Sequence, residues 1–165
     1  MVLLQKTVRA STSAHYQGQD GLSALAARVE EKVFGRAVFK VQVTRSREEW
    51  RSFPADFTLD AVRVLHPGVA EASLLLSYSI AVPRYPFADD IAFNRVVQAM
   101  VERGYWLRIH YNFLEGSGCW ACFEQRGMID SDVLYRGQGE TMQQAICWAA
   151  LAVMEGHTTA SLLRQ

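Results

Sequence analysis

Between Gly104 and Gln125 the chain alternates on both sides of a four-residue turn. Tyr105, Leu107, Ile109, Tyr111 and Phe113 fall on one face of an extended chain, and Trp106, Arg108, His110 and Asn112 on the other. Glu115-Gly-Ser-Gly118 reads as a hairpin turn, and Cys119 to Gln125 pairs back along the first run. Ile129 to Tyr135, after Arg126-Gly127, adds a third strand. A meander with one apolar face has to bury that face against another layer, which limits the fold to a few layered architectures.

Helical patterns stand on both sides of the meander. Asp89 or Asp90 starts a helix over 89–103, whose apolar face is Ile91, Phe93, Val96, Val97, Met100 and Val101, with Gly104 past its end. Paired carboxylates at a helix start read as caps rather than as acid/base partners. Thr141-Met-Gln-Gln144 resembles a capping box opening a helix over 141–155, with Gly156 closing it. Its alanines allow close approach to a sheet. Gly137-Gln-Gly139 before it reads as a turn, where free amides at a helix N-terminus can hold an anion.

The N-terminal half is less regular. Val2 to Arg9 suits a short strand and 10–20 is small and polar, so 1–20 reads as an arm or linker. Leu22, Leu25, Ala26, Val29 and Val33 repeat with helical spacing, which predicts a helix over 21–34 capped by Asp20 and ended by Gly35. Val38, Phe39, Val41 and Val43 predict a strand over 37–44. Ser46-Arg-Glu-Glu-Trp50 reads as the start of a short helix and Leu59 to Leu65 as another turn or two. Leu74 to Val82 reads as a strand buried on both faces. Residues 157–165 form a C-terminal tail.

Composition excludes more than it assigns. Seventeen basic residues balance 17 acidic ones, which argues against a protein built mainly to hold phosphate backbones. The longest apolar run, Leu74 to Val82, is too short to span a bilayer, and the N-terminus turns polar before a signal segment forms, so a cytoplasmic protein without membrane contact is expected. Three cysteines indicate no disulfide framework. Cys119-Trp-Ala-Cys122 has the C-x-x-C spacing, but in a strand its two thiols point to opposite faces, and His15, His66, His110 and His157 share no ligand spacing. No metal or cofactor is expected. No Ser lies in a nucleophile-elbow setting, and no Gly-rich loop has the Lys of a phosphate loop. The start of the last helix carries no basic cluster, which argues against a double-stranded RNA-binding domain.

Several segments together resemble a known family. Leu25-Ala-Ala-Arg-Val-Glu-Glu-Lys-Val-Phe-Gly35, Val82-Pro-Arg-Tyr-Pro-Phe-Ala-Asp-Asp-Ile-Ala92, Gly104-Tyr-Trp-Leu-Arg-Ile-His-Tyr111, Gly118-Cys-Trp-Ala-Cys-Phe123 and Ala145-Ile-Cys-Trp-Ala-Ala-Leu-Ala-Val-Met-Glu155 are similar, in order and spacing, to the phage αβα-sandwich domain family. The resemblance covers 21–35 and 82–156. It implies an α+β fold with an antiparallel sheet sandwiched by helices, an N-terminal arm, and an insertion at 37–80 within a domain spanning 21–156. It also implies a small phage or prophage accessory protein with no shared enzymatic activity, acting in the host cytoplasm.

The strongest candidate site is the outer face of the hairpin. Strand alternation places Trp106, Arg108 and His110 together, and the turn brings Trp120 alongside. Trp and Arg on one surface have the composition of an interface hot spot. They equally suit stacking on a base. A third reading has a helix covering this face, with the tryptophans as core and Arg108 paired to Glu124. Two functions follow: a non-enzymatic protein that binds a host or phage protein, with inhibition of a host defence system as the expected effect, or a nucleic-acid or nucleotide-binding module. A homodimer is compatible with either.

Overall fold

A computed structural model describes residues 5–6, 19–82, 90–111, 119–125 and 135–156. The chain divides into two compact units, Met1–Tyr85 and Pro86–Gln165. The class is α+β, as the sequence predicts. Among the described residues, no helix is long and apolar enough to cross a membrane.

The first unit contains β1 (Gln5–Lys6), α1 (Gln19–Lys32), β2 (Ala37–Thr44), β3 (Arg47–Phe53), α2 (Leu59–Leu65), α3 (Glu71–Ser77) and β4 (Ile80–Ala81). Its antiparallel sheet has the order β1-β2-β3-β4. Helices lie on both faces of this sheet. On one side Val38 packs with Ala26 and Ala27 of α1, with Val82 and Trp50 at the same cluster. On the other, Val41 and Phe53 pack with Leu75 of α3, flanked by Phe39, Phe57, Leu59 and Tyr78. Residues 37–80, expected as an insertion, supply β2, β3, α2, α3 and the start of β4 in this unit. The predicted strand over 37–44 and the helical turns over 59–65 match β2 and α2. Helix α1 begins one residue before its expected cap, Asp20.

Two local expectations fail here. Ser46-Arg-Glu-Glu-Trp50 does not start a helix, because Arg47–Phe53 is strand β3. Pairing across the β2–β3 ladder, with Phe39 opposite Arg51 and Lys40 in an ion pair with Glu48 at 3.0 Å, overrides the helix preference of consecutive glutamates. Leu74 to Val82 is not one buried strand. Its first part belongs to α3, and only Ile80–Ala81 is extended. Consecutive leucines favour helix over strand, and burial of the adjacent Leu74 and Leu75 does not alternate. Arg51 fixes the end of α3. Its Nε donates to Ser79 Oγ at 2.9 Å, and its Nη2 donates to the carbonyl oxygens of Ser79 and Leu76 at 3.0 and 3.4 Å.

A buried polar link ties α1 to β3. Ser52, fully buried, donates from Oγ to Glu30 Oε2 at 3.2 Å, and Arg36 reaches both residues. A buried carboxylate requires such partners.

The second unit contains α4 (Asp90–Glu102), β5 (Tyr105–Tyr111), β6 (Cys119–Gln125), β7 (Tyr135–Gly139) and α5 (Met142–Glu155). The sheet order is β5-β6-β7, an antiparallel meander. Gly104, at φ +87°, makes the tight turn from α4 into β5, a conformation that costs side chains with a Cβ. The Glu115–Gly118 turn and Asp89 lie outside the described residues. Strand β7 takes in Tyr135, the last residue of the predicted third strand, whose residues 129–134 lie outside the described residues, and Gly137 and Gly139 belong to it rather than to a turn. Helix α5 packs on β6 and β7, α4 packs on β5, and the two helices touch each other, so both cover one face of this sheet.

The reason for the strand glycines is close contact with α5. A Cβ on Gly137 would sit 2.1 Å from the carbonyl oxygen of Ala145 and 2.2 Å from the amide nitrogen of Ala149. Both obstacles are backbone and cannot rotate away. At the head of α5, Thr141 Oγ1 accepts from the Gln144 amide at 3.3 Å, and Gln144 Oε1 accepts from the Glu140 amide at 2.9 Å. This is the predicted capping box, with its reciprocal bond made to the Glu140 amide in place of that of Thr141.

Two stability predictions follow from these contacts. Gly137→Ala is expected to destabilise the chain by about 3 kcal/mol or prevent folding, measured by urea denaturation. Ser52→Ala is expected to cost about 1–2 kcal/mol in the same assay, from loss of the buried hydrogen bond to Glu30.

Candidate functional site

The strand register defines the candidate face. Trp106 lies opposite Glu124, Arg108 opposite Cys122, and His110 opposite Trp120. Across the next ladder Cys122 lies opposite Arg136 and Trp120 opposite Gln138. Residues directly opposite in an antiparallel pair share a face, so these eight positions form one surface. The other surface carries Leu107, Ile109, Ala121, Phe123 and Gly137, and α5 packs there.

The sequence-predicted residues Trp106, Arg108, His110 and Trp120 therefore do share one face by register. The His110 side chain lies outside the described residues. Trp106 is 56% exposed, so it is not core beneath a helix. The predicted Arg108–Glu124 pair is present, with Nη2 to Oε2 at 3.1 Å. Trp120 is half-buried, and the Arg136 guanidinium stands over its ring, 4.2 Å from the centroid. Cys122 lies buried in the middle of the face, between Arg108 and Arg136 in the ladder.

Sequence reasoning missed Arg136. The two glycines around Gln138 look like a turn, and the strand was expected to end at Tyr135. The available signal was the alternation of Arg136 and Gln138 with glycines at the intervening positions, which is the pattern of a strand pressed against a helix.

These contacts contribute little to folding. An exposed ion pair is worth about 0–1 kcal/mol, and a solvated cation–π contact about 0.5–1 kcal/mol. Their effect is geometric. Glu124 holds the Arg108 fork at the surface, and Arg136 is held flat on Trp120, so neither loses its full side-chain freedom when a ligand binds.

Cys119 and Cys122 occupy opposite faces of β6 and, with Cys147, are free thiols. Burial pushes the Cys147 thiol up to about 12. The Cys122 thiol is also raised, first by burial and then by the Glu124 carboxylate, with Arg108 and Arg136 acting in the opposite sense. Among the described residues, no group of three or more His, Cys, Asp or Glu side chains could hold a metal ion.

No protein-family model, no curated protein and no solved structure matches this chain.

Only thiolates alkylate rapidly, and a raised pKa keeps a thiol protonated at pH 8. Iodoacetamide at pH 8 is therefore expected to label the partly exposed Cys119 first. Cys122 and Cys147 should react only on unfolding, as read by peptide mass spectrometry. Labelling of Cys147 at the rate of Cys119 in the folded chain would contradict the burial described here.

Proposed function

We propose that this chain is a non-enzymatic binding protein that recognises another protein through the outer face of β5, β6 and β7. The observation that carries the reading is the exposed Trp106 beside two guanidiniums already held in place, Arg108 by Glu124 and Arg136 by Trp120. Tryptophan and arginine are the residues most enriched at interface hot spots. The charge on this face favours a protein over a nucleic acid. Arg108 is balanced by a carboxylate, and the ring of Trp120 on which a base would stack is covered by Arg136. A phosphate-tracking surface needs a run of uncompensated cations and several open rings, and Arg136 and Trp106 alone are a small set for it.

The similarity of residues 21–35 and 82–156 to the phage αβα-sandwich family supports a phage or prophage setting. In that setting the partner is a host or phage protein in the host cytoplasm, with a component of a defence system as the target class. No cofactor enters this reading.

The test compares the parent chain with a Trp120→Ala/Arg136→Ala double variant, which removes the stacked pair together. Both are used to capture partners from nuclease-treated host lysate. The variant is expected to keep its circular dichroism spectrum and to lose partner affinity about 30-fold or more, the loss of roughly 2 kcal/mol typical of a hot spot. Capture that survives nuclease and changes little between low and high salt supports a protein partner. Capture that collapses with salt or nuclease supports nucleic acid instead. An unchanged affinity in the variant would remove this face from the function.

A further inference from the structure

The two sheets end differently. In the first, each edge strand is two residues long among the described residues, Gln5–Lys6 and Ile80–Ala81. In the second, β5 is an edge strand of seven residues which, among the described residues, pairs only with β6. Natural edge strands are guarded against adding a further strand by short length, charged side chains, Lys above all, Pro or a bulge, and the charge on β5, Arg108, is paired to Glu124. Tyr105-Trp-Leu-Arg-Ile-His-Tyr111 contains no Lys, Pro or Gly, and its register with β6 is unbroken. The opposite edge, β7, is five residues long and includes two glycines.

We propose that β5 is a strand-addition site and that its occupant is a second copy of this chain, paired antiparallel about a two-fold axis through Leu107. The choice of occupant comes from the register. An axis at Leu107 sets Trp106 opposite the partner subunit's Arg108, and the same contact occurs twice. Leu107 then faces the partner's Leu107, and Tyr105 faces the partner's Ile109. Every opposing pair is apolar or a cation beside an aromatic ring, the combinations that stabilise neighbouring strands. An axis one residue later sets Arg108 against the partner's Arg108, two like charges directly opposite. An axis at Ile109 sets Arg108 against the partner's His110. The strand thus carries one self-complementary register near its centre, as an isologous contact requires.

Trp106 at 56% exposure and Arg108, its side chain 61% exposed, have the accessibility this contact needs. The axis runs perpendicular to the sheet, so the two outer faces become one continuous surface across six strands. A single edge is smaller than a standard interface of about 1,600 Å², so the association is concentration-dependent. This inference shares Trp106 and Arg108 with the binding face proposed above, but its tests read self-association rather than partner capture, so either reading can fail without the other.

Two measurements test it on the full chain. The first introduces Leu107→Cys in a Cys119→Ser background, followed by mild oxidation and peptide mapping. Opposing Cα atoms in an antiparallel pair lie about 4.5–5.5 Å apart, within reach of a disulfide. Cross-linking between two copies at position 107 is expected, and Ile109→Cys, which faces Tyr105 in this register, should link at least tenfold less. The second is sedimentation equilibrium. The parent chain is expected to rise with concentration from 18.6 kDa towards twice that mass. Trp106→Lys, which sets an ammonium against the partner's Arg108, should weaken the dimer at least tenfold while leaving the fold intact. A mass of 18.6 kDa at every concentration, preferential linking at position 109, or a dimer indifferent to Trp106→Lys would overturn the proposal.

Discussion

The contact between β7 and α5 at Gly137 organises the second unit. A missing Cβ lets the strand lie against the helix backbone at Ala145 and Ala149, closer than any side chain permits. That contact commits Ala121, Phe123 and Gly137 to the helix side. Because a strand has a period of two, the same commitment turns Trp106, Arg108, Trp120, Glu124 and Arg136 to the other side. The candidate face is thus a consequence of the packing on its reverse. A one-residue slip in β6 would turn Trp120 and Glu124 towards the helices and expose Phe123.

The two sheets use the same elements differently. In the first, α1 covers one face and α3 the other, and the polar groups that go inside, Glu30 and Ser52, are bonded to each other and to Arg36. In the second, both helices share one face, and the polar groups of the other face are paired at the surface. A sheet covered on both sides has no strand face left to present. The second unit does, which is why the candidate site lies there and not on the larger sheet.

What the sequence revealed depended on whether a segment's local pattern and its tertiary surroundings agreed. Helix α5 was legible to its caps because Thr141, the alanine spacing and Gly156 all act within one turn of the chain. Strand β5 was legible because its alternation records one helix-covered face, and β2 because β-branched and aromatic residues crowd Val38–Val43. Strand β3 was not, since Arg47-Glu-Glu49 is extended only through its ladder with β2. Helix α3 was not, since three leucines in a row carry no period, and its termination depends on Arg51 from a distant strand. Within the site, the Arg108–Glu124 pair followed from counting along the hairpin. Arg136 did not, because the glycines that let β7 reach α5 are the residues that ordinarily mark a turn.

If a protein partner binds through Trp106, the outer face of the second sheet must be open at that residue. Tryptophan oxidation by hydroxyl-radical footprinting tests this directly, in dilute solution and without knowledge of the partner. The chain has four tryptophans, of which Trp106 is exposed and Trp50, Trp120 and Trp148 are half-buried. The account predicts that Trp106 is oxidised fastest, and that Trp120 becomes more reactive when Arg136→Ala removes the guanidinium from its ring. Trp106 protected to the level of Trp50 and Trp148 would mean that the face is covered, and would contradict the account.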